Sequence, residues 1–337
     1  MFEKSIPELS IDFVLKLFGT LDGNIENIEN AFSVSVIARE GIIKISGENA
    51  NDVNMAASCI EQLERVSRMS ESIDENTINY VISMVREEKE GELDAIYNDC
   101  ICLTNKGKPI KAKTVGQQKY VDAINANTIV FGVGPAGTGK TFLAVAMAVT
   151  ALKKKQISKI VLTRPAVEAG EKLGFLPGDL QSKIDPYLRP LYDALGEMLG
   201  NESFKNCGEK GIIEVCPLAY MRGRTLDDAF IILDEAQNTT PEQMKMFLTR
   251  LGNNSKAIIT GDITQIDLPY LRKSGLVDAL EILENIKGIS IFRFTHKDVV
   301  RHPLVQKIIQ AYEKRDASNA QRRENSDSPR REVFRRR

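Results

Sequence analysis

The chain has 337 residues, 42% hydrophobic and 27% charged, with a net charge of −1. That length suits two domains, and the apolar fraction supports cores without disulfide or metal staples. Two His and no Trp argue against a histidine metal site and leave few candidates for a His-driven triad. The Cys at 59, 100, 102, 207 and 216 form no CxxC pair, which reads as reduced thiols of a cytoplasmic protein. Cys100 and Cys102 make a CxC, but no second pair follows at zinc spacing. The opening MFEKSIPELSIDF has no basic region followed by an apolar stretch, so no secretory signal is expected. No apolar run approaches the ~20 residues of a membrane span. A near-neutral total hides any nucleic-acid role, and charge has to be read locally.

Residues 1–70 read as a small α+β unit in the order β-α-β-β-α, with Ile11–Phe18 as its short apolar first element. Ile25–Phe32 has helical spacing. The β-branched runs Val34–Ile37 and Ile42–Ser46 flank a turn at Arg39-Glu40-Gly41. Ala50–Met69 repeats apolar residues at helical intervals: Val53, Ala56, Ala57, Ile60, Leu63 and Val66. Residues 71–113 read as a connector. It comprises an acid-rich helix from Glu71 to Asn98, striped by Ile78, Val81, Ile82 and Val85, and a basic loop from Lys106 to Lys113.

Residues 114–315 alternate strand and helix patterns. The expected strands are Thr128–Val133, Lys159–Thr163, Ile212–Cys216, Ala229–Leu233, Lys256–Thr260 and Ile289–Phe294. Such alternation predicts an α/β fold with a mostly parallel sheet, covered on both faces. From Arg315 to Arg337, eight Arg face four acids with almost no apolar residue. Residues 316–337 are therefore expected to be a disordered basic tail, either a solubilising end or an RNA-contacting arm.

Gly134-Pro135-Ala136-Gly137-Thr138-Gly139-Lys140-Thr141 satisfies GxxxxGK[ST]. It follows a predicted strand and opens a predicted helix at Phe142, the context the motif requires. Glycines let successive N–H groups curl toward phosphate oxygens, and the helix N-terminus adds partial positive charge. Lys140 is expected to neutralise the β- and γ-phosphates of ATP, and the Thr141 hydroxyl to ligate Mg²⁺. Ile231-Ile232-Leu233-Asp234-Glu235 supplies two carboxylates at the end of a buried strand. Asp234 is the expected Mg²⁺ partner and Glu235 the base for the attacking water.

Gly261-Asp262-Ile263-Thr264-Gln265 follows the next strand. Gln265 reads as a γ-phosphate sensor supported by Asp262, or as an ordinary turn. Gln117, just before the first strand, has an amide able to read an adenine edge, and Tyr120 a ring able to stack on it. Together they predict ATP over GTP; the other reading is a polar first turn of a helix.

The tract from Thr163 to Asp179, TRPAVEAGEKLGFLPGD, the segment Pro186–Tyr192, DEAQN and GDITQIDLP closely resemble the PhoH-like proteins, phosphate-starvation-inducible ATPases of bacteria. The resemblance runs from Thr114 to Tyr312. The motif order is also similar to one half of a superfamily 1 helicase core, which implies a RecA-like P-loop NTPase. In that comparison Gln117 falls on the adenine motif and Arg164 on the strand-contact motif. Asp234, Glu235 and Gln237 fall on the DEAQ box and Gln265 on the third motif. Asp298-Val299-Val300-Arg301 resembles the family's terminal arginine motif. The N-terminal unit resembles a KH-type RNA-binding module. Its Gly19-Thr20-Leu21-Asp22-Gly23 loop is one residue longer than GxxG and carries an acid, which puts RNA binding there in doubt.

One RecA-like unit leaves the γ-phosphate open to water. An arginine from a neighbouring subunit contributes about 10³–10⁵ in rate in comparable systems. Arg301 is the first candidate, with a helix-start salt bridge as its other reading, and Arg222 and Arg224 come next. A homo-hexamer or other ring, with ATP at each interface, follows as an expectation. RNA is the expected macromolecular partner, with Arg164, Arg189, Arg222 and Arg224 as contacts. The alternative is an ATP-driven switch acting on a protein such as a nuclease. A small-molecule kinase ranks last, for want of an acceptor site. No membrane partner is expected.

Overall fold

The computed structural model describes residues 1–315 outside 8, 20–21, 40, 69–72, 94–95, 97–99, 166–179, 270–271, 302–303, 306–307, 309–310 and 312–314. The expected tail, 316–337, and residues 166–179 of the tract from 165 to 192 lie outside the described residues.

The N-terminal unit runs β1 (Phe2–Ile6), α1 (Ile11–Phe18), α2 (Gly23–Phe32), β2 (Val34–Arg39), β3 (Ile42–Gly47) and α3 (Ala50–Ser67). The strands form an antiparallel sheet in the order β1-β3-β2. The expected β-α-β-β-α order is corrected at its start, because Ile11–Phe18 is a helix and an unexpected strand precedes it. The Ser10 hydroxyl caps α1, accepting from the Phe13 N–H at 3.1 Å. Phe13 and Leu17, one turn apart, are buried, while Ile11 and Leu15 face solvent. Apolar residues on both faces of a short run leave the period ambiguous, and the cap and the core decide it.

The connector helix α4 spans only Glu75–Arg86, shorter than expected. Glu88 takes a left-handed backbone, and the Lys89 N–H folds back to the Met84 carbonyl, which ends the helix. A short hairpin follows, β4 (Cys102–Leu103) with β5 (Pro109–Ile110).

The larger unit carries α5 (Val115–Ala126), β6 (Ile129–Val133), α6 (Lys140–Lys153), β7 (Lys159–Arg164), β8 (Ile213–Pro217), β9 (Ala229–Leu233), β10 (Lys256–Gly261) and β11 (Ile289–Arg293). Each expected strand agrees with its observed one to within a residue at either end. The sheet order is β11-β6-β10-β9-β7-β8, and every pairing is parallel. This is the RecA-like P-loop α/β fold. All five residues of β9 are buried, as both-face coverage requires. Among the described residues, no helix is long and apolar enough to cross a membrane.

Tyr120 belongs to this core and not to a base-stacking surface. It is fully buried, with its ring centroid 5.0 Å from that of Phe294 and 5.8 Å from that of Phe292. A Cβ on Gly132 would lie 2.7 Å from the Tyr120 ring, so strand β6 approaches the ring only because Gly stands there. The Tyr120 hydroxyl is buried without a hydrogen-bond partner among the described residues. Y120F should therefore be neutral or stabilising by up to about 1 kcal/mol, read as an unchanged or raised Tm with nucleotide affinity unaltered. A large loss of nucleotide affinity would show the ring to be part of the site.

Candidate nucleotide site

Strand β6 ends at Val133, and the Gly134 N–H donates to the Gly261 carbonyl at 3.1 Å. The chain then curls through Gly134, Gly137 and Gly139, all with positive φ. A Cβ on Gly134 would stand 2.7 Å from Phe294 Cβ, so the close approach demands glycine. The N-cap of α6, Gly139, offers no side-chain acceptor to the first-turn N–H groups, which therefore suit an anion. The Thr138 hydroxyl donates to the Pro135 carbonyl at 3.0 Å and keeps the loop folded. The Lys140 ammonium lies 2.7 Å from the carbonyls of both Gly134 and Pro135. Burial pushes its pKa below the ordinary value, against the carboxylates of Asp262, Asp234 and Glu235, which raise it.

Asp234 follows β9, and its N–H donates to the Thr163 carbonyl at 2.9 Å. Its Oδ1 accepts from Thr141 Oγ1 at 2.6 Å and from Thr260 Oγ1 at 2.8 Å. Asp262, after β10, accepts the Thr264 N–H and hydroxyl on Oδ1. Its Oδ2 is buried with no partner among the described residues. These oxygens are the donor set a hard divalent cation takes, and the orphaned Oδ2 is an observation in favour of the fit. The pocket between loop and acids has a volume of about 270 Å³. It is lined by Ala136, Gly137, Gly139, Lys140, Thr141, Phe142, Asp234, Glu235, Gly261, Asp262 and Gln265.

Glu235 has a left-handed backbone, with φ 52°, an uncommon cost for a residue bearing a Cβ. One carboxylate oxygen lies 3.1 Å from the Arg164 guanidinium, and the other accepts from Gln237 Nε2 at 2.5 Å. Gln237 is buried and also bridges strand ends. Its Nε2 donates to the Gln265 carbonyl at 3.2 Å, and its Oε1 accepts the Asp262 N–H at 3.0 Å.

Arg301 lies against the phosphate loop of its own chain. The Val300 N–H donates to the Gly137 carbonyl at 2.9 Å, and a Cβ on Gly137 would collide with the Arg301 side chain. In this chain Arg301 therefore packs on its own loop, whereas the sequence expectation has it reach a neighbour's nucleotide. Buried Asp298 turns the segment across the loop, accepting from Thr295 N–H at 2.9 Å and Thr114 Oγ1 at 2.8 Å.

The remaining candidates scatter. Gln117 is buried, and its amide meets the Thr138 carbonyl and the Lys113 N–H. Arg224 forms a two-pronged ion pair with Glu214, at 2.6 and 2.7 Å, which holds the Glu214 carboxyl below its usual range. Arg222 and Arg189 are exposed. None of Arg189, Arg222 and Arg224 lines the pocket, while Arg164 stands at its rim beside Glu235. Sequence reasoning passed over Thr260. A hydroxyl at the end of an otherwise apolar strand, Ala257–Ile259, was the available signal.

A family model described as "PhoH-like protein" matches residues 109–313. The chain belongs to the PhoH-like family. A PhoH-like protein of Bacillus subtilis strain 168 is 53% identical over 305 residues, covering 90% of this chain and 95% of the relative. One from Mycobacterium tuberculosis H37Rv is 52% identical, covering 92% and 87%. Protein PhoH of Escherichia coli K12 is 44% identical, covering 74% and 69%. A solved Sulfolobus solfataricus SWI2/SNF2 ATPase core in complex with dsDNA overlaps 43% of this chain and 31% of its own, at TM-score 0.30 and 18% identity. The fold assignment of this PhoH-like chain rests on its own sheet and loop.

Two substitutions separate binding from chemistry. K140A should weaken nucleotide affinity by about 10–10²-fold, as loss of a charged hydrogen bond does. E235Q should cut phosphate release by about 10²–10⁴-fold. Its affinity for ATP, followed by calorimetric titration, should change little.

Proposed function

We propose that this PhoH-like protein is a Mg²⁺-dependent ATPase whose turnover is coupled to RNA. The ion pair between Arg164 and Glu235 carries the reading. Lys140 and the loop N–H groups bind the β- and γ-phosphates, the ammonium leaving the Gly134 and Pro135 carbonyls to do so. Thr141 and Asp234 would hold Mg²⁺, with Asp262 near. When bound, the ion offsets phosphate charge. Glu235 orients the attacking water and accepts its proton, and Gln265 at the pocket edge contacts the γ-phosphate or that water. Arg301, already on the loop, supplies cationic charge in cis.

Arg164 has two claims on it. Its helicase-like motif position suits a strand phosphate, and its guanidinium holds the carboxylate proposed as base. Engagement by RNA would therefore change how Glu235 is held. The N-terminal unit's resemblance to a KH-type module is a lesser support, its loop being one residue longer than GxxG and carrying Asp22. The homo-hexameric ring is a separate proposal. Of the three arginines expected for that role, Arg301 lies on its own loop and Arg224 pairs with Glu214, which leaves exposed Arg222 as the candidate for a neighbour's site.

ATP turnover should rise several-fold with single-stranded RNA and fall back steeply with added salt. R164A should abolish that rise while leaving ATP binding in place. No stimulation by any RNA across a range of salt would sink the RNA reading and favour an ATP-driven switch acting on a protein partner such as a nuclease.

A further inference from the structure

We infer that Gln117 positions the phosphate loop instead of reading the base, and that the site takes purine and pyrimidine nucleoside triphosphates alike. The inference rests on the triphosphate reading above and runs against the ATP preference expected from the sequence.

Gln117 sits in the first turn of α5, where the Thr114 hydroxyl accepts its backbone N–H at 3.0 Å. Its side chain turns inward and is only 4% exposed. Nε2 donates to the Thr138 carbonyl at 3.0 Å, and Oε1 accepts the Lys113 N–H at 2.7 Å. The partners fix the amide's orientation, since a carbonyl can only accept and an N–H only donate. An adenine edge is read by an amide that donates and accepts toward one side at once. Here the two ends are committed to different backbone groups. The loop also packs directly on the amide, with a Cβ on Gly139 lying 3.2 Å from Nε2. A base does not fit between them.

The other expected base contact, Tyr120, lies wholly in the core. Phe142, half-buried and packed partly against the core, is the aromatic residue among those lining the pocket. Stacking on a ring tolerates any base, because each has a π-face. Lys140, Thr141, Asp234 and Asp262 address phosphates and a cation, which all nucleoside triphosphates share.

The test compares kcat/KM for ATP, GTP, CTP and UTP with Mg²⁺. Values within about tenfold of one another are expected if the base is only stacked; a site built on hydrogen bonds to one base rejects others by about 10⁴. Q117E keeps an acceptor for Lys113 and loses the donor to Thr138. It should raise KM by about tenfold for all four nucleotides with kcat little changed, while Tm falls because a buried carboxylate oxygen then faces the Thr138 carbonyl. A fall in kcat with KM unchanged would count against positioning. An ATP preference above about 10² in the intact protein overturns the inference, and so does a Q117E defect confined to ATP. Titration of ATP and GTP binding makes the same comparison without turnover, so failure of the hydrolysis reading is told apart from failure of this one.

Discussion

Parallel pairing of four neighbouring strands holds the site together. β6, β10, β9 and β7 lie side by side, with Phe131 level with Ile259, Ile259 with Leu233, and Leu233 with Thr163. Because they run the same way, their C-terminal ends share one edge. Gly134, Asp262, Asp234 and Arg164 therefore emerge in a row, at intervals set by the ~4.8 Å strand spacing. Burial of both sheet faces pins this register, since a one-residue slip would turn each strand's side chains over. The Thr141–Asp234 and Thr260–Asp234 bonds depend on that alignment.

The edge is then cross-braced. Gln237 ties the end of β9 to the turn after β10 and also holds Glu235, whose other oxygen pairs with Arg164. A left-handed Glu235 persists because these contacts over-determine it. Behind the loop, the Tyr80 hydroxyl of α4 accepts the Val115 N–H at 2.7 Å. Thr114 bonds Asp298, and Val300 bonds Gly137. The connector helix, the start of α5 and the segment bearing Arg301 thus brace one phosphate loop.

Much of this is legible in the sequence, and the reason is locality. GPAGTGKT encodes a curled backbone and a helix start within eight residues, and IILDEA encodes a buried strand with acids at its tip. The six strands of the larger unit declare themselves by β-branched apolar runs too short for helices. Ile11–Phe18 did not, because its apolar residues serve two faces and the capping serine stands outside the run.

The sequence by itself determined the phosphate loop, the paired carboxylates, the alternating α/β pattern and the family resemblance, since each depends on neighbours along the chain. Only the tertiary structure decided what Gln117, Tyr120 and Arg301 touch. Gln117 is claimed by a carbonyl 21 residues away, and Thr114 by a carboxylate 184 residues away. Tyr120 is enclosed by rings of β11 and the residue just beyond it. The polar groups of a side chain pair with whatever folding brings within 3 Å or so, and sequence spacing carries no measure of that distance.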